Sequence, residues 1–416
     1  MKQKYVCFQR VIIIILLSQS LGVLAQNSLP AYIGQAILNS PFITDQRNQV
    51  KSLALDSIRI LATLKPQLNL TGSGYFAPVV KGIGYDEVIT NGQLVTGLVG
   101  INYSYQGKER LNNQFTSIQL QKKVLEIGEK IGVRDLEQSV TTQYITVYQD
   151  QQLLQNTQEI LGIMQKEEHI FRSLTEQSVY AQADYLAFLS TLKQQEISVL
   201  QQTLVARSDL FLLKYICGIT DTTYFELNQP ELTLPPLFAI DHTLQYQQFH
   251  IDSLQNQNSL EQFDLTYKPR LNLFGDAGYT SSLTYQPYKN FGTSAGVNFT
   301  MPLYDGNQRR IQHQKYQLME VTRTAYKESY IRQYAIKYGQ LLNQIQNTDR
   351  IMVEAGKQVI LARSLVDVNQ TLLEAGSLKI SDFLLSLSGL VTSHGSLKQL
   401  EASKMQLINQ LIYLNY

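Results

Sequence analysis

The chain has 416 residues, 44% of them apolar, and a formal charge of +1 that becomes −2 once the three cations of residues 1–25 are set aside. That length is ample for a large core, and the near-neutral balance argues against a nucleic-acid partner. With Cys7 inside those first residues, Cys217 stands alone, so no intramolecular disulfide framework is expected.

Residues 1–25 read as an export signal. Lys2, Lys4 and Arg10 precede the apolar run Val11 to Leu17, and Val23-Leu24-Ala25 supplies a small-residue cleavage site before Gln26. That run is too short to cross a bilayer, and no other stretch reaches the ~18 uninterrupted apolar residues of a spanning helix. The mature chain is therefore expected to enter a membrane only as a β-barrel. No cysteine follows the cleavage site, so no lipid anchor is expected there.

Leu29 to Leu64 reads as one helix that tolerates Pro41 near its start and ends at Pro66. Two strands follow, Gln67 to Phe76 and Leu94 to Tyr105, separated by a loop rich in Gly, Asp and Asn. Alternation in the second places Val95, Val99, Ile101, Tyr103 and Tyr105 on one face, with Thr96, Asn102 and Ser104 on the other. Gly107 to Gln177 holds no proline and reads as a helix of about 70 residues, or roughly 105 Å. A break at Ser178-Val179-Tyr180 precedes a helix from Gln182 to Tyr215. A proline-containing linker, Cys217 to Ile240, leads to a helix over Asp241 to Tyr267.

The second half repeats the first. Lys65-Pro66-Gln67-Leu68-Asn69-Leu70 is echoed by Lys268-Pro269-Arg270-Leu271-Asn272-Leu273, and Glu176 to Leu186 by Glu374 to Leu384, about 200 residues apart. Two more alternating runs lie at Leu271 to Tyr279 and Ala295 to Met301. The long helix after them carries a heptad of Ile331, Tyr338, Ile345, Met352, Val359, Val366 and Leu373, the mark of a coiled-coil seam. A break at Gly376-Ser377-Leu378 precedes the last helix. The expected organisation is a signal peptide over 1–25, then a repeat over 26–229 with a helix, hairpin 65–105, long helix 107–177 and return helix 182–215. A second repeat covers 230–416, with a helix, hairpin 268–302, long helix 305–374 and return helix 378–414. The lengths suggest four helical columns, two continuous and two made of halves. Four strands cannot close a barrel alone, so several copies are expected to pool them.

With these residues in view, the chain resembles the TolC-like outer-membrane efflux proteins. The matching stretches are the strand entries Lys65-Pro66 and Lys268-Pro269, the exit Met301-Pro302-Leu303-Tyr304-Asp305-Gly306-Asn307-Gln308-Arg309-Arg310, and the turn Gly376 to Leu384. The resemblance covers essentially the whole mature chain. It implies a mostly α fold with a β-barrel contribution: two β-hairpins per protomer, a 12-stranded outer-membrane barrel in a homotrimer, and a periplasmic α-barrel of long coiled-coil helices. It further implies a passive exit duct for efflux or type I secretion, served by a periplasmic adaptor protein and an inner-membrane pump. No enzyme, cofactor or metal site is expected. The five histidines lie far apart without ligand spacing, and Gly72-Ser73-Gly74 sits inside a strand pattern rather than in a phosphate loop. Other readings stay open: a structural or adhesive outer-membrane trimer without transport, or a periplasmic coiled-coil adaptor. The adaptor reading leaves the duplicated strand pairs unexplained.

The resemblance also suggests sites. Asp382 and its counterpart Asp184 match the acids that ring the tunnel entrance, where three carboxylates around an axis attract cations and repel one another. An acid there also simply starts a helix favourably. Leu385 stands where some relatives carry a second acid. Gly376, Ser377 and Leu378, with Ser178, Val179 and Tyr180 in the first half, match the adaptor-contacting tip. Leu68, Leu70, Val99, Ile101, Tyr103, Val297 and Phe299 are expected to face lipid.

Overall fold

The computed structural model describes residues 27–86, 88, 92–236, 239–284 and 286–415. The expected signal peptide lies outside the described residues. The chain forms two compact units, each drawing on both halves of the sequence: 1–44 with 129–244 and 329–416, and 45–128 with 245–328. The fold is mostly α with a β contribution, as the periodicities predict.

In chain order the main elements are α1 (Leu29–Asn39), α2 (Pro41–Thr63), β1 (Gln67–Phe76), β2 (Gln93–Tyr105), α3 (Lys108–Glu176), α4 (Gln182–Ile216), α5 (Leu244–Asp264), β3 (Arg270–Ser281), β4 (Phe291–Thr300), α6 (Gln308–Glu374) and α7 (Ile380–Leu414). Three expected bounds are corrected. The helix predicted over Leu29 to Leu64 is two helices, because Ser40 is extended (φ −71°, ψ 116°). Proline at position 41 lacks the N–H that would continue the ladder and pushes the residue before it out of the α region. The second long helix starts at Gln308 rather than 305, since Gly306 and Asn307 both hold positive φ (66° and 69°). The last helix begins at Ile380, with Leu378 in the turn before it.

The sheet belongs to the second unit. Its four strands run antiparallel in the order β1-β2-β3-β4, so the two hairpins lie side by side and β1 and β4 are its edges. Helix α3 opens at the end of β2. There Arg110 donates from Nη2 to the Leu265 carbonyl at 2.7 Å, and the Asn113 amide donates to the Asn258 carbonyl at 3.0 Å.

The described residues of the first unit form three apolar clusters. One joins α3, α4, α6 and α7 through Phe171, Phe188, Leu373 and Phe383, each 0% exposed. A second packs Tyr32 of α1 and Leu213 of α4 on Val140, Tyr144 and Val147 of α3. The third joins Leu341 and Ile345 of α6 to Ile408 and Leu411 of α7. The heptad positions lead into these seams: Ile345, Val366 and Leu373 are buried, whereas Ile331 at the start of the series is exposed. The linker is pinned to α3, because Gln151 donates to the Phe225 carbonyl at 2.9 Å and accepts from the Leu227 amide at 2.8 Å. No helix among the described residues is long and apolar enough to cross a membrane.

Candidate channel surfaces

Register decides which side chains share a face of the sheet. Leu68 pairs with Ile101 and Leu70 with Val99. Tyr103 pairs with Leu273 and Val99 with Ala277. Leu273 pairs with Val297 and Leu271 with Phe299. Directly paired residues in an antiparallel sheet project to the same side. All seven residues expected to face lipid therefore lie on one face, with Leu271, Leu273, Ala277, Tyr279 and Phe291 added to them.

That face is uncovered in the protomer. Leu70 is 81% and Leu68 72% exposed, with Val297 and Phe299 near two thirds. A continuous apolar surface of this kind marks contact with a membrane or a partner. The opposite face carries Asn69, Thr71, Ser73, Thr96, Asn102, Asn272, Asp276, Ser294 and Asn298. There Ser104 donates to the Asn272 side-chain oxygen at 2.6 Å and Ser294 to Asp276 at 2.8 Å. Tyr75, Leu94, Leu98 and Phe274 are the large apolar side chains on this face, and Phe274 is packed against the sheet. Its ring lies over Gly296, where an added Cβ would come within 2.5 Å of the Phe274 Cζ. Strands of 10 to 13 residues match the ~9–11 needed to cross a bilayer with tilt.

The first unit brings together two helix turns from opposite halves of the chain. After α3, Ser178 N–H bonds to the Thr175 carbonyl (3.0 Å) and Val179 N–H to the Leu174 carbonyl (2.9 Å). After α6, Gly376 N–H bonds to Leu373 and Ser377 N–H to Leu372, both at 2.9 Å. This is the same Schellman closure twice, and it demands a left-handed residue at one place. Gly376 fills it in the second turn (φ 69°) and Ser178 in the first (φ 62°). Serine there carries a steric penalty that glycine avoids.

The turns touch each other. The Tyr180 hydroxyl donates to the Leu378 carbonyl at 2.8 Å and lies 3.3 Å from that of Leu373. Val179 sits against Gly376, where an added Cβ would be 2.9 Å from Val179 Cγ1. The Tyr180 ring stacks on Phe171, 4.8 Å between centroids, and Phe171 stacks in turn on Phe188 at 5.3 Å. Burial raises the Tyr180 pKa, although its backbone hydrogen bond partly opposes this, so the hydroxyl stays a donor at neutral pH. Of the six tip residues, Tyr180 and Leu378 pack on the core cluster. Their apolar character thus has a packing reason that the sequence does not reveal. Ser178, Val179 and Ser377 are exposed.

Asp184 and Asp382 are each the third residue of their helix, α4 and α7, and both are exposed. Neither helix has a side-chain cap, so an acid in the first turn also offsets the unpaired amides. Leu385, one turn beyond Asp382, is 73% exposed.

Sequence reading passed over Glu167. It lies 0% exposed on the stripe of Ile160, Met164 and Phe171. It accepts from Gln370 at 2.7 Å through one oxygen, and the other is buried without a partner. Burial first, and then the charge of Glu374, raise its pKa. The signal was an acid three residues after Met164 and four before Phe171, on an otherwise apolar helical stripe. Of the histidines, His313 lies 2.9 Å from Asp264, which also accepts from Arg309 at 2.8 Å.

No family model matches the chain, and no curated protein matches it. Solved structures do. The channel protein CusC is 14% identical, covering 93% of this chain and 92% of its own, with a TM-score of 0.73. The outer membrane protein VceC of Vibrio cholerae is 13% identical over 93% of this chain and 96% of its own, with a TM-score of 0.71. The outer membrane channel CmeC of Campylobacter jejuni is 12% identical over 93% and 85%, also at 0.71. Over nearly its whole described length, the chain has the fold of the TolC-like outer-membrane channels.

Proposed function

We propose that the chain is the outer-membrane channel of an efflux or secretion machine. Three copies pool four strands each into a 12-stranded barrel, with the apolar face toward lipid and the polar face toward a water-filled lumen. The helices extend the duct into the periplasm. The paired turns form its far tip, where Ser178, Val179, Gly376 and Ser377 meet a periplasmic adaptor, and an inner-membrane pump supplies the energy. Asp382, with Asp184, rings the constriction. The duct is passive and performs no chemical step.

The observation that carries this reading is the two-faced open sheet. An apolar face exposed across all four strands and two unpaired edges make little sense for a protomer in water. Closure with other copies in lipid satisfies both. The test is the mass of the purified full chain in detergent, followed by single-channel recording in planar bilayers. A trimer with a small, cation-preferring conductance that Asp382→Ala alters supports channel and constriction together. Conductance unchanged by Asp382→Ala places the constriction elsewhere. An inserted trimer that conducts neither as wild type nor with its tip loosened by Tyr180→Phe refutes the conduit and favours a structural role.

A further inference from the structure

The polar face of the sheet ends in a cavity that the conduit reading does not use. It has a volume of about 330 Å³ and is lined by Ser104, Tyr105, Gln106, Arg110, Arg270 and Asn272. Arg110, in the first turn of α3, is anchored through Nη2 to the Leu265 carbonyl at 2.7 Å. Arg270, the first residue of β3, pairs with Thr300 through its backbone, while its side chain makes no ion pair or hydrogen bond among the described residues and lines the cavity. Burial and then the Arg270 charge both lower the Arg110 pKa, which is the signature of two cations sharing a partly shielded space.

Four acids of this unit are engaged elsewhere. Glu109 is bound to Lys268. Asp264 is held by Arg309 and His313. Asp305 accepts from Tyr267 at 2.6 Å and Asp276 from Ser294 at 2.8 Å. Two guanidinium groups without a counter-charge repel, whereas an oxyanion between them gains charge-assisted, fork-shaped hydrogen bonds. The neutral side chains suit that role. Ser104 donates to the Asn272 side-chain oxygen, which leaves the Asn272 NH2 to donate. The Gln106 side-chain oxygen is buried without a partner, and turning that amide over presents its NH2 instead.

We propose that Arg110 and Arg270, with Asn272 and Gln106, form a binding site for a small oxyanion, a phosphate or carboxylate group. The group belongs either to a free solute or to a lipid headgroup. The test uses the purified full chain in detergent at low salt, where screening is weak, and reads binding by calorimetry. One arm titrates inorganic phosphate and acetate, the other a short-chain phosphatidic acid. Saturable binding is expected, weakened about tenfold or more by Arg270→Gln or Arg110→Gln and partly kept by Arg270→Lys. Binding of all three probes identifies a solute site, and binding of the phosphatidic acid alone a headgroup site. Absence of saturable binding in both arms overturns the proposal. So does unchanged affinity in an Arg270→Gln protein that melts like wild type. The readout is independent of conductance, so failure here leaves the conduit reading standing, and the reverse also holds.

Discussion

Replacing Tyr180 by phenylalanine removes one hydroxyl and keeps the ring stacked on Phe171. The hydroxyl donates across the two turns, reaching the Leu378 carbonyl at 2.8 Å and lying 3.3 Å from that of Leu373. A neutral hydrogen bond of this kind contributes a net ~1 kcal/mol, with no cavity to add because the ring remains. An opening equilibrium that separates the turns should then shift about fivefold. Hydrogen exchange tests this directly. The amides of Ser178, Val179, Gly376 and Ser377, which close the two turns, should exchange about fivefold faster, while those of the buried Val140, Tyr144 and Val147 keep their protection. Phe171→Ala is the contrasting control. That ring is 0% exposed and touches three other aromatic rings, so its loss costs ~3–5 kcal/mol and destabilises the whole cluster. Unchanged exchange at both turns in Tyr180→Phe would refute the idea that this hydroxyl ties them together.

Other predictions follow from the same geometry. Gly376→Ala and Ser178→Gly change equivalent left-handed positions in opposite directions. The first adds Cβ strain and a contact with Val179 and should destabilise by ~1–2 kcal/mol; the second should stabilise by up to ~1 kcal/mol, both read by denaturant midpoint. Burial, a hydrogen bond to Asp209 and its charge raise the Asp150 pKa to about 7. The folded chain therefore holds that proton longer than the unfolded one, so stability present at low pH is lost as pH rises from ~4 through that value. Asp150→Asn should flatten the melting temperature across this window and raise it above neutrality; an unchanged pH profile would count against the shift. Val99 lies midway along β2 on the apolar face. Val99→Arg should disfavour membrane insertion by ~2–4 kcal/mol, whereas Thr96→Arg, on the polar face, should insert normally. Equal behaviour of the two variants would contradict the assignment of faces.

Much of this molecule was legible before any coordinates. Local periodicity is a property of neighbouring residues, so alternation marked the four strands and the heptad from Ile331 to Leu373 marked the second long helix. Glycine and proline punctuation placed the turns to within a residue or two. The exception was Pro41, read as tolerated, which splits the first helix because Ser40 cannot stay helical before it. Alternation also divided each strand into two faces, and so put the seven apolar residues on common faces within their own strands.

What spacing could not supply was long-range register. Only the pairing of Val99 with Leu70 on one side and Ala277 on the other turns four separate alternations into one continuous apolar surface, since a slip of one residue would reverse a strand. The same limit hid the junction of the turns. Tyr180 and Leu378 are 198 positions apart, and nothing local announces that one donates to the other or that both pack inward. Glu167 and the Arg110–Arg270 cavity belong to the same class. The sequence by itself determined the elements, because each depends on contacts within a few residues. Tertiary structure alone decided which side chains meet, because burial and charge depend on neighbours brought from the other half of the chain.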